Sequence, residues 1–190
     1  MDWVGLVIGT IAGGATLFFW YFLCWVVLPH HKKDFSQLPD PTALENALEE
    51  SKLAPGLYCL PHVEQFDGMG DPALAERMQK GPNAFLTMCP NGPPMSPATF
   101  GRALLINLCC AGALATLFAW RPELVEGLFP TALFCGGVGV FTVFAAHLPQ
   151  SNWMGVPWRV SFKHLFDDGV GYALVGVVLH FFGPGGPTAG

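Results

Sequence analysis

Residues 3–28 read WVGLVIGTIAGGATLFFWYFLCWVVL, 26 positions without one charged side chain. At 1.5 Å per residue a helix of this length reaches roughly 39 Å, beyond the ~30 Å hydrocarbon core of a bilayer, so it spans with some tilt. A cleaved signal peptide has a basic start and a shorter apolar run, whereas this segment opens on Met1-Asp2 and is followed by Lys32-Lys33. It therefore reads as a retained anchor.

The whole chain agrees with that reading. Of its 190 residues 52% are apolar and only 12% charged, with a mean hydropathy of +0.42, against about 25% charged in a soluble domain. Disorder and a water-soluble globule are both excluded. A net charge of −5 with nine Lys and Arg offers no basic face to nucleic acid, and six cysteines are too sparse for a disulfide scaffold.

Three further segments are long and apolar: 103–120, 128–148 and 165–182, the last carrying Asp167 and Asp168 in its expected first turn. Basic residues stay on the cytoplasmic side. With the amino terminus outside, eight Lys and Arg fall inside and Arg121 alone falls outside, so both termini are expected outside.

Residues 30–100 differ, holding ten of the 17 prolines and most of the acids. Asp40-Pro41 and Asp71-Pro72 are helix starts, because Asp accepts from free first-turn amides and Pro fits where no amide is needed. Helices over 41–52 and 72–80 follow. Leu57–Leu60 and Ala84–Cys89 read as strands whose pairing is open, and Ser96-Pro97 as the start of the second membrane helix.

The fold class is thus an all-α membrane protein of four transmembrane helices with a small cytoplasmic α+β insertion between the first two. Its segments are 1–29, 30–100, 101–182 and a flexible tail over 183–190. The layout is that of a multi-pass protein of a bacterial inner membrane, surrounded by membrane lipid, with no nucleic-acid partner.

Candidate functional residues are few. Gly5, Gly9 and Gly13 form a small-residue track on which a second helix can pack closely. The mate is either one of the chain's own spans, with Gly136, Gly137, Gly139, Gly169 and Ala173 as candidates, or an external helix or second copy. Phe18 to Phe22 with Trp25 reads as a lipid-facing or interfacial aromatic belt. His30, His31, His147 and His164 all fall at the inner ends of spans, where paired imidazoles ligate haem or a metal. Interfacial histidines otherwise simply meet headgroups and water.

Asp167 and Asp168 are the acids within a span, and capping of a first turn is their inexpensive role. Asn107 is expected to make an interhelical hydrogen bond. Cys59, His62 and Cys89 would supply three zinc ligands only if the strands brought them together. All six thiols are expected to be free.

The function expected from these features is a non-enzymatic accessory or assembly subunit that docks on another membrane protein, or on its own copies, through the glycine face. Two alternatives stand beside it: a small oligomeric transporter using Asn107, Asp167 and Asp168, and a haem or metal protein using the histidines. No cofactor motif stands out.

Overall fold

The computed structural model describes residues 2–63 and 70–187. In chain order the elements are α1 (Trp3–Phe22), α2 (Pro41–Ser51), β1 (Gly56–Leu60), α3 (Pro72–Lys80), β2 (Ala84–Met88), α4 (Pro97–Trp120), α5 (Leu128–Thr142), α6 (Leu148–Met154) and α7 (Trp158–Phe182). Two π-helical stretches, Leu23–Val27 and Val143–His147, prolong α1 and α5. Four helical segments are long and apolar enough to cross a membrane: Trp3–Val27, Pro97–Trp120, Leu128–Met154 and Trp158–Phe182. The chain divides into two compact units, Met1–Phe35 with Pro94–Gly190, and Ser36–Pro93.

The smaller unit follows its caps. Asp40 and Asp71 accept from the amides of Thr42 and Ala73, with Pro41 and Pro72 opening the helices. The strands pair antiparallel, with Gly56 opposite Met88 and Cys59 opposite Phe85. Cys89 therefore lies beyond the end of the ladder remote from Cys59, and the three-ligand zinc grouping does not assemble. Cys59 Sγ meets only His62 Nδ1, at 3.4 Å. Neither α2 nor α3 buries a residue.

In the larger unit the helices pack in the order α4, α1, α7, α5. Asp2 caps α1 through the Gly5 amide at 2.8 Å, and Ser96 caps α4 through the Thr99 amide at 3.1 Å. The core is Leu17 of α1, Ala111, Leu114, Ala115 and Phe118 of α4, Cys135 of α5, and Tyr172, Val175 and Leu179 of α7. All six cysteines are free thiols.

Without a hydrophobic drive between helices in lipid, close approach of backbones supplies the packing. The Gly5-Gly9-Gly13 track is filled from within the chain. A Cβ at Gly9 would stand 2.8 Å from Leu179 Cδ2 and 3.0 Å from Gly183 Cα, and one at Gly13 would stand 3.1 Å from Ala111 Cβ and 3.3 Å from Val175 Cγ1. The mates named in the sequence are corrected too. Gly136 and Gly139 press on Gly169, Ala173 and the Asp168 backbone, making a separate α5–α7 seam, while Gly137 meets nothing within 4 Å. Nor are residues 183–187 a loose tail, since Gly183 and Pro184 are buried and Gly183 lies against Gly5 and Gly9; residues 188–190 lie outside the described ones.

Two boundaries differ from the apolar pattern. Helix α7 begins at Trp158 rather than 165, because Arg159 and Lys163 lower the hydropathy without opposing helix. The stretch between the third and fourth apolar segments contains α6, which stops at Gly155, whose φ of 70° suits glycine. Pro149 does not end the third span either, since it sits in the first turn of α6, where a missing amide is tolerated.

The α5–α7 seam is testable. Gly139→Ala puts a methyl group into the Asp168 carbonyl and should cost about 1–3 kcal/mol as overpacking, read as a lowered unfolding midpoint in detergent, whereas Gly137→Ala should leave the midpoint unchanged. Equal behaviour of the two variants would refute the seam.

Candidate metal centre

Asp167 and Asp168 do not cap a first turn. They are the tenth and eleventh residues of α7, with side chains 0% and 7% exposed. A carboxylate buried so far down an apolar helix demands partners, and α1, the chain just after it, and α5 provide them.

Asp167 is met from α1 and its sequel. Leu28 leaves the helix with ψ of 144°, and Pro29 opens a 3₁₀ turn over Pro29–His31 that points both histidines back at α7. His30 Nε2 lies 2.8 Å from Asp167 Oδ1 and His31 Nε2 2.7 Å from Oδ2. The other nitrogen of His31 lies 2.6 Å from Asp34 Oδ2. Both ring nitrogens of His31 are thus engaged by carboxylates rather than open to a metal, and its ring stacks on Trp25 at 3.9 Å with planes 3° apart. Lys163 donates to Asp34 and to the His30 carbonyl. Burial alone would raise the Asp34 carboxyl, but hydrogen bonds from Lys163 and His31 outweigh it and hold the group below its ordinary value of 3.8.

Asp168 sits differently. Tyr21 donates to its Oδ1 at 2.9 Å. Thr142 Oγ1 lies 3.0 Å from Oδ2 but also 2.6 Å from the Gly139 carbonyl, and one hydroxyl proton serves one acceptor at a time. His147 Nε2 stands 3.5 Å from the same Oδ2, and its ring stacks on His164 at 3.8 Å. The ligand atoms of His147, His164 and Asp168 all lie within 4.8 Å of one another, as do those of Cys24, His30 and Asp167.

The two groupings have different chemistry. In the Cys24 set, His30 and Asp167 are already at hydrogen-bond length. In the His147 set the 3.5 Å separation is close to the ligand-to-ligand edge, roughly 3.3 Å, of a tetrahedron with ~2.0–2.1 Å metal bonds. Tyr21 and Thr142 then orient the carboxylate as an outer shell orients a ligand. Charge points the same way: three buried or nearly buried carboxylates, Asp34, Asp167 and Asp168, face one permanent cation, Lys163, which is spent on Asp34.

The four histidines and two aspartates named from the sequence thus converge from three elements: the turn after α1 gives His30 and His31, the π-helical end of α5 gives His147, and α7 gives His164, Asp167 and Asp168. Asn107 does not join them. It is 7% exposed in the third turn of α4, and among the described residues its amide has no hydrogen-bond partner, so the expected interhelical bond is not formed. The aromatic belt is also corrected. Phe19 faces outward, but Trp20 Nε1 donates to the Asp167 carbonyl at 2.7 Å, Tyr21 holds Asp168 and Trp25 covers His31.

Sequence reasoning missed Cys24, Asp34, Tyr21, Thr142 and Lys163 as site residues. Cys24 and His147 lie in the two π-helical stretches. Such one-residue expansions re-aim side chains and recur at functional sites, yet an evenly apolar sequence carries no sign of them. Asp34 and Lys163 carried a signal, being charges placed beside histidines at span ends.

Asp34 yields a pH prediction. A carboxyl held below its unfolded value stabilises the fold above that value, and the contribution disappears as pH falls through the lower, folded one. Asp34→Asn should cost about 1–3 kcal/mol at pH 7, through the loss of bonds to charged partners. The gap between wild type and variant, followed by thermal unfolding in detergent, should close below about pH 4. A gap that stays constant to pH 2 would contradict the assignment.

No protein-family model, no curated protein and no solved structure matches this chain.

Proposed function

We propose that this is a multi-pass membrane metalloprotein holding one first-row divalent ion on His147, His164 and Asp168. The observation that carries the reading is the spacing of those ligand atoms around a buried carboxylate that lacks a permanent cation of its own. Two imidazoles and one carboxylate form a three-ligand set of the kind that leaves positions open to water or substrate, as reactive zinc and non-haem iron sites do. The ion's charge offsets Asp168 while both histidines stay neutral ligands. An ion suits the site better than haem, since stacked rings present nitrogens side by side rather than across a macrocycle.

Protein purified from metal-replete medium should contain about one zinc, iron or manganese per chain by elemental analysis. His147→Ala, His164→Ala and Asp168→Asn should each remove most of it, and Tyr21→Phe should weaken retention against a chelator by about tenfold. A folded, metal-free protein that takes up none of the three ions would end the proposal.

The eight-to-one distribution of basic residues supports placing both termini outside and residues 30–100 in the cytoplasm. Cys89, which is exposed, should then resist a membrane-impermeant maleimide in intact cells and react once they are permeabilised. Labelling in intact cells would invert the layout.

A second reading, an accessory or assembly subunit, is favoured by the insertion rather than by the glycine face. A two-stranded sheet is marginal alone, and Leu57 and Phe85 stand 81% and 57% exposed on it, a surface that a partner protein would cover. Among the described residues Asn107 makes no hydrogen bond to either aspartate, so nothing favours the transporter reading over these two.

A further inference from the structure

Between α1 and α4 lies a cavity of about 450 Å³ whose wall includes Phe18, Tyr21, Phe22, Trp25, Phe100 and Asn107. Its size is within the ~300–1,000 Å³ usual for small-molecule sites. Every wall residue is uncharged. The Thr99 hydroxyl is tied to Ser96 at 2.9 Å and the Tyr21 hydroxyl to Asp168, which leaves the amide of Asn107 and, on a half-exposed residue, the indole N–H of Trp25 as the uncommitted polar groups. Asn107 is more than nine-tenths buried, has no partner among the described residues and borders the cavity.

An amide in that position costs free energy unless something answers it. Water is a poor candidate among five aromatic rings. Phe22 (42%), Phe100 (44%), Val26 (52%) and Ile106 (63%) of the wall stand exposed on the spans, so the cavity is open to the apolar surface, which on such spans is lipid.

We propose that this cavity binds a neutral, lipid-soluble molecule with a planar ring bearing a carbonyl oxygen, a compound of the quinone class, with the Asn107 amide donating to the carbonyl and the aromatic rings enclosing the ring. An uncharged wall is complementary to a neutral head and opposes a free fatty acid or a phosphate headgroup. A flat ring fits walls rich in aromatic rings better than a flexible acyl chain does. Tyr21 of the cavity wall also donates to Asp168 of the proposed metal centre. Binding itself does not require the metal.

Decylubiquinone titrated into the full-length protein in detergent, followed by tryptophan fluorescence, should bind saturably at one site per chain. Asn107→Leu should weaken that binding at least tenfold and Asn107→Gln by less. Phe100→Ala, on the exposed wall, gives an independent reading and should weaken it at least threefold. Metal content measured on the same samples separates this proposal from the metal reading, since either can fail alone. Absence of saturable binding, affinity unchanged in folded Asn107→Leu or Phe100→Ala, or displacement by monoolein or oleic acid at equal concentration would overturn it, the last by making the cavity an acyl-chain seat.

Discussion

The structure is organised around the burial of two adjacent carboxylates in the middle of α7. Consecutive residues on a helix point about 100° apart, so Asp167 and Asp168 must be answered from two directions. Asp167 turns to α1 and the histidine turn that follows it, while Asp168 turns to Tyr21 on one side and to Thr142 and His147 on the other. In an apolar setting each unanswered oxygen would be costly. Helices α1, α5 and α7 are thereby bound to one arrangement at this end of the unit.

Close packing makes that arrangement reachable. Gly139 and Gly136 let α5 approach the α7 backbone at Asp168 and Gly169, and Gly171 gives room to Trp20 and Leu17 of α1. At the other end Gly5 and Gly9 receive Gly183 and Leu179. The small residues thus serve the polar centre: without them the helices would stand too far apart for side chains of three or four bonds to meet. A track that looks like an adhesive for a foreign helix is spent inside the molecule.

Much of the layout was legible beforehand, and the reasons are local. The 26-residue opening run, the Asp-Pro and Ser-Pro starts and the two short strands follow from length, capping chemistry and β-propensity, none of which needs a neighbour. The misread places depended on neighbours or on backbone detail. Pro149 follows the apolar segment 128–148 directly yet sits in the first turn of α6, where its missing amide is tolerated, and Arg159 and Lys163 mask the true start of α7. Asp167 and Asp168 were read as caps because that start was placed seven residues late. The four histidines gather about Asp167 and Asp168, but a place at the ends of separate helices does not specify facing.

By itself, then, the sequence determined the number of long apolar helices and the caps of the insertion, since hydrophobic length and first-turn chemistry act within a single segment. Only the tertiary structure decided that His147, His164 and Asp168 draw together, that His31 is consumed between Asp34 and Asp167, that the glycine track is occupied and that Asn107 borders a cavity. Those outcomes depend on which faces of α1, α4, α5 and α7 meet. In lipid that choice rests on small-residue fit and buried polar pairing, and evenly apolar helices carry no amphipathic stripe to announce it.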